Sequence, residues 1–187
     1  DGSMADKCLE TYRSKALDKQ LLKFVAASGA ATRMFKTLIK VNHNFSRIRA
    51  GEVDAGLLEN TEENKELLEF KDNIQEFAFF PDLKKALARD GMDADELLRQ
   101  GEYKPFLDYL LTAKGLHYGS KPKGLLKFHA YAEGTRTAFE EHLVEAAGYG
   151  KSAAGDCRLH FTVSPSHQAG FEKLFEQVAA AYESRLE

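Results

Sequence analysis

The chain has 187 residues, with 26 Lys and Arg against 29 Asp and Glu, a net charge of -3 and two cysteines, Cys8 and Cys157, that lie far apart. That balance argues against a broad nucleic-acid-binding face while leaving room for a local basic pocket, and the length suffices for one ordinary domain that buries roughly 70% of its unfolded surface without disulfide or metal. No apolar run approaches the ~20 residues that span a bilayer, and no short apolar block behind basic residues resembles a secretion signal, so a soluble, cytoplasmic chain with no membrane partner is expected.

Residues 4 to 20 carry Cys8, Leu9, Tyr12, Ala16 and Leu17 at helical spacing and predict an amphipathic helix. Asp1-Gly2-Ser3 reads as a vector remnant and Leu186-Glu187 as a cloning-site remnant. The stretch Leu21 to Met34, LLKFVAASGAATRM, then passes without a charge from an apolar run to a small-residue turn, Ser28-Gly29-Ala30-Ala31-Thr32, and on to Arg33. This predicts a buried strand over 21 to 27, a loop of exposed backbone N–H groups and a helix start, a combination suited to an anion. Met34, Phe35, Leu38, Ile39 and Val41 continue at helical spacing, which completes the strand, loop and helix order of a nucleotide-binding crossover.

Residues 42 to 60 show no sustained period and read as a mobile connection. Over 61 to 115 the pattern is helical, and the segment reads as an inserted helical subdomain within a single domain spanning 1 to 187. A first helix carries Leu67, Leu68, Ile74, Phe77 and Ala78 and ends at Pro81, and a second runs through Leu83 and Leu87 to Gly91. Asp93 with Glu96 resembles a capping box opening a third, and a fourth carries Phe106, Leu107, Leu110 and Leu111. The aromatic residues here are read as the subdomain's own core in preference to a lid or a partner surface.

Gly119 to His129, GSKPKGLLKFH, reads as a basic loop in which Lys121, Lys123, Lys127 and His129 surround Leu125-Leu126. Gly134-Thr135-Arg136-Thr137 is expected to lead into a helix bearing Phe139, Leu143, Val144 and Ala147. Cys157 to Val163 predicts a short strand, and Ser164-Pro165 opens a helix with Phe171, Leu174, Phe175, Val178, Ala179 and Tyr182 on one face. The fold class is therefore α/β, a partial Rossmann-like, mostly parallel sheet with a large helical insertion. Only two strands are clear, so either short strands near 125 to 128 complete the sheet or the chain is a piece of a larger domain.

Loops after parallel strands converge on ligands. If the Ser28 to Arg33 loop meets the Lys121 to Lys127 segment, backbone N–H groups, Arg33 and Lys123 surround one anionic site. Neither GxxxxGK[ST] nor GxGxxG fits, and no His or Cys pair has metal-ligand spacing, so no metal site is assigned. Glu140, Glu141 and His142 read as capping and surface residues. His43, His117, His160 and His167 have no partner pattern.

The loop ending Thr-Arg-Met after a first strand, followed by Pro-Lys-x-Leu, resembles the signature of sugar-nucleotide pyrophosphorylases and related nucleotidyltransferases. That resemblance implies binding of a nucleoside triphosphate with Mg²⁺ and transfer of a nucleotidyl group to a sugar phosphate. By position it assigns Arg33 and Lys123 catalytic roles and makes Ser28, Gly29, Ala30, Ala31, Thr32, Lys127, His129 and Arg136 contacts to the nucleotide. Ala31 departs from the glycine expected of such a loop, and the aspartate that would bind the metal is not matched.

A closer resemblance is to an uncharacterised bacterial domain-of-unknown-function family of longer proteins, carried by FVAASGAATRMFK, PKGLLKFH, RTAFEEHLVEAA and LHFTVSPSH in order. It implies that this chain corresponds to the N-terminal part of such a protein. The alternative function is a non-catalytic binding or assembly module, whose unpaired sheet edge would favour a homodimer or docking of a missing C-terminal segment. A third reading treats both motifs as structural.

Overall fold

A computed structural model describes residues 2–15, 19–152 and 155–183. In chain order the elements are α1 (Gly2–Lys15), β1 (Leu22–Ala26), α2 (Lys36–Asn44), α3 (Ala50–Asp54), α4 (Thr61–Asn73), α5 (Phe80–Arg89), α6 (Ala94–Gln100), α7 (Lys104–Leu111), β2 (Lys127–Tyr131), β3 (Gly134–Thr137), α8 (Ala138–Tyr149), β4 (Arg158–Thr162) and α9 (Pro165–Glu183). Single 3-10 turns lie at Ala31–Arg33, Ile74–Glu76 and Lys123–Leu125. The fold is mixed α/β with a small parallel sheet, and it divides into two compact units, residues 1–28 with 138–187, and residues 29–137.

In the first unit β1 and β4 pair in parallel, from Leu22 opposite Arg158 to Ala26 opposite Thr162. The Ala27 N–H extends the ladder to the Thr162 carbonyl at 2.9 Å. Lys23, Val25, Leu159 and Phe161 are half-buried, and Phe161 packs on Phe139 of α8 at 4.6 Å between ring centroids. Phe139 in turn meets Phe171 of α9 edge-on at 5.4 Å. The Lys23 ammonium pairs with Glu145 and donates to the Tyr149 hydroxyl at 3.0 Å, tying β1 to α8.

The opposite sheet face is open. Leu22 and Phe24 are 61% and 62% exposed, and Phe24 stacks on its cross-strand neighbour His160 at 5.0 Å. The expected buried strand is thus covered on one side, and its alternation of exposed and half-buried residues follows the period of two of a strand. On α1 no residue is buried, and Met4 and Leu9 face solvent. Ala16, Leu17, Leu186, Glu187 and the side chain of Tyr182 lie outside the described residues.

The second unit is a helical body. Leu67, Leu83, Leu87, Phe106, Leu107 and Leu110 are among its most deeply buried side chains, each contributing about 1.5–3 kcal/mol on burial. Phe70, Phe79, Phe80, Phe106 and Tyr109 are buried in the same core, as expected of the segment's aromatic residues. Asn60 caps α4, its side chain accepting from the Glu62 and Glu63 N–H groups at 2.9 and 3.1 Å. Asp93 caps α6 in the same way through the Asp95 and Glu96 N–H groups, whereas the Glu96 carboxylate pairs with Arg99 and accepts from Gln100, so the reciprocal half of the box is not made.

Two local expectations are corrected and a third is refined. Residues 42 to 60 are not a featureless connection: Ile48 is fully buried, α3 forms, and the Arg49 N–H donates to the Glu52 carboxylate at 2.9 Å. Five residues are too few to show a helical period, which is why the pattern missed them. Pro81 does not end the helix before it; α4 stops at Asn73, a 3-10 turn follows, and Pro81 sits in the first turn of α5, where a missing N–H costs nothing. Finally, 134 to 137 lead directly into α8, as expected, but do so as a strand. β3 pairs antiparallel with β2 in a separate two-stranded sheet, so the strand near 125 to 128 exists but does not extend β1 and β4.

The turn between α7 and the basic loop depends on glycine. A Cβ on Gly115 would stand 2.2 Å from the Tyr109 carbonyl oxygen, inside any permitted contact.

Candidate functional site

The two motifs are brought together within the second unit. Ala30 and Pro122 form an antiparallel bridge, the Ala31 N–H donates to the Lys121 carbonyl at 3.2 Å, and the Lys123 N–H donates to the Gly29 carbonyl at 2.9 Å. The loop is pinned from below. Ala31 is fully buried, and Phe35, also buried, lies 6.1 Å from the ring of Tyr118.

Pinning determines which groups stay open. The N–H and side chain of Ala31 are both engaged, so it anchors the loop and leaves neither for a ligand. No acceptor for the N–H groups of Gly29, Ala30 or Thr32 is found among the described residues, and all three residues are exposed, whereas the Arg33 N–H turns back to the Ala30 carbonyl in the 3-10 turn. Arg33 and Lys123 are exposed beside them, with no ion-pair partner among the described residues. Three open N–H groups and two cations on a bridged pair of segments suit an anion.

Lys121 was legible as part of the basic loop but not as a distinct environment. It is half-buried, with Nζ 5.7 Å from the centre of the Tyr118 ring, and burial pulls its pKa below the usual lysine value. Tyr118 is buried too, its phenol pushed up to about 12 by loss of water, and its hydroxyl accepts from the Lys127 N–H at 3.2 Å. The Lys127 ammonium pairs with Asp82 of α5 at 2.6 Å, a partner 45 positions away that no motif announces.

The remaining predicted contacts lie elsewhere. His129 and Arg136 face each other across the β2–β3 hairpin, with the Arg136 guanidinium 4.3 Å from the Tyr131 ring centre and 3.5 Å from Glu133. Ser28 belongs to the other compact unit. Among the described residues no group of three or more His, Cys, Asp or Glu side chains is arranged to hold a metal ion, and no helix is long and apolar enough to cross a membrane.

Fold and site together define a mixed α/β protein with a bridged pair of small-residue and basic segments. The chain belongs to the family described as a domain of unknown function, DUF4301, whose profile matches residues 2–187. No curated protein and no solved structure matches the chain.

Proposed function

We propose that the protein binds a nucleoside triphosphate, or another phosphorylated small molecule, at the junction of residues 29–33 and 121–123. The observation that carries this reading is the bridge between Ala30 and Pro122, which sets Arg33 and Lys123 on the two segments it joins. Phosphate oxygens would accept from the open N–H groups, and the two cations would offset their charge. Without a cluster of metal ligands among the described residues, Mg²⁺ enters this reading only as the counter-ion of the triphosphate.

The reaction class implied by the resemblance is nucleotidyl transfer. A sugar-phosphate oxygen would bond to the α-phosphorus as the bond to the bridging oxygen breaks and pyrophosphate leaves, with Arg33 and Lys123 stabilising the charge on the phosphate oxygens. The first test is thermal stabilisation by ATP, GTP, CTP, UTP and tripolyphosphate, with and without Mg²⁺. Ligand at 100 times its Kd adds about 2.7 kcal/mol of stability. No shift with any of them, or an undiminished shift in Lys123→Ala, overturns the assignment.

A non-catalytic assembly module is the second reading, and the open sheet face favours it. Parallel sheets are ordinarily covered on both sides, yet Leu22 and Phe24 are exposed on this one. A second copy covering that face would make a dimer in sedimentation that Phe24→Asp reverts to monomer. A monodisperse monomer at all concentrations removes this reading.

A further inference from the structure

Both segments of the anion site run straight into the wall of a neighbouring cavity. Met34 and Phe35 follow Arg33, and Lys127 and Phe128 lie shortly after Lys123; all four line a cavity of about 330 Å³ in the same unit. That volume is at the lower end of small-molecule sites and suits a base with its sugar.

The lining is specific in two respects. Phe70, Phe77 and Phe79 form a run of stacked rings, 5.9 and 5.0 Å apart with planes within 21° and 13°, so one wall is an ordered aromatic stack in which Phe70 and Phe79 are buried and Phe77 is half-buried. Met34 and Phe128 are 46% and 39% exposed among the same lining residues, leaving apolar surface that a planar ring would cover. Glu66 and Glu69, one turn apart on α4, are the acidic members of the lining, exposed and without an ion-pair partner among the described residues. Lys127 is already held by Asp82. Ionised carboxylates only accept hydrogen bonds, so the polar readout of this cavity favours a ligand edge rich in N–H donors.

We infer that this cavity is the base subsite: it takes the amino-substituted ring of a nucleotide such as ATP, covering the exposed Met34 and Phe128 with its exocyclic amine donating to Glu66 or Glu69. The inference rests on the proposed phosphate site for the rest of the nucleotide. It also explains why the small-residue loop is anchored through Phe35, since the same residue supports the loop and lines the cavity.

The test is calorimetric titration of the full chain with ATP, adenosine, purine riboside, which lacks the amino group, and tripolyphosphate. ATP is expected to bind at least tenfold more tightly than tripolyphosphate, and adenosine about tenfold more tightly than purine riboside, the value of one hydrogen bond to a charged group. Glu66→Gln with Glu69→Gln should abolish the second preference, and Phe128→Ala should weaken adenosine several-fold while leaving tripolyphosphate unchanged. All three are exposed positions, and unchanged unfolding midpoints confirm that the variants fold. Equal affinity for ATP and tripolyphosphate overturns the base subsite while the phosphate site stands. Adenosine binding with no response to tripolyphosphate overturns the phosphate site and upholds the cavity. Equal binding of adenosine and purine riboside overturns the carboxylate readout.

Discussion

Replacing Lys123 by alanine is expected to weaken tripolyphosphate binding about tenfold and leave the fold unchanged. The residue sits in a 3-10 turn whose main chain is already fixed: its N–H donates to the Gly29 carbonyl at 2.9 Å and its carbonyl accepts from the Leu126 N–H at 3.1 Å. Alanine keeps both bonds. The side chain is exposed and has no ion-pair partner among the described residues, so its removal should change stability by less than about 0.5 kcal/mol. A hydrogen bond to a charged group contributes about 1.5–3 kcal/mol, and the exposed setting argues for the lower end, hence the tenfold estimate. Arg33→Ala should do the same, and the double variant should lose about a hundredfold if the two cations contact separate oxygens. Calorimetry at low and at physiological salt provides the assay, with weaker binding expected at the higher ionic strength. Unchanged affinity in both single variants refutes the reasoning, as does an affinity loss accompanied by a fall in the urea midpoint.

Three further outcomes concern the scaffold. Gly115→Ala should destabilise the chain by on the order of 2–4 kcal/mol, because its Cβ would meet a backbone oxygen, not a movable side chain; a urea midpoint within error of wild type would contradict this. Asn60→Ala should cost about 1 kcal/mol through loss of the α4 cap, and Asn60→Asp should restore most of it in the same assay. The Glu145 carboxyl is held down to about 2 by its hydrogen bond from Lys23, with His142 and Tyr149 adding to the effect. Its folded pKa lies below the ordinary value of about 4.3, so its stabilisation is complete above that pH and is lost as pH falls toward 2. Wild-type stability should therefore fall more steeply across that window than that of Glu145→Gln, and parallel curves would show that the pair contributes nothing.

Long periodic segments were legible because their spacing reports a buried face directly. Leu83 and Leu87 in α5, Phe106, Leu107 and Leu110 in α7, and Phe171 and Val178 in α9 all point inward as their periods require. The two strands of the parallel sheet were read from LLKFVAA and CRLHFTV, one residue longer at each end than they are, but their openness on the Leu22 and Phe24 side was not, since an apolar run looks the same whether one face or two are covered. Short elements escaped for want of length, as with α3, and Pro81 was misplaced because proline both stops one helix and starts another. At the candidate site, the meeting of the small-residue loop with the Pro-Lys segment was only a condition in the sequence; the segment follows no parallel strand, and the Ala30–Pro122 bridge that joins the two is a product of tertiary packing. The engagement of Lys127 by Asp82 and the burial of Ala31 depend on tertiary packing and carry no local signal.

Amide chemical shifts of the ¹⁵N-labelled chain titrated with tripolyphosphate report on the anion site residue by residue. Saturable shifts are expected at the Gly29, Ala30 and Thr32 amides, which lack acceptors among the described residues, and smaller ones at Ala31, Arg33 and Lys123, whose N–H groups are already engaged. Shifts confined to β4 and α9, or no saturable shift at the loop, would contradict this assignment.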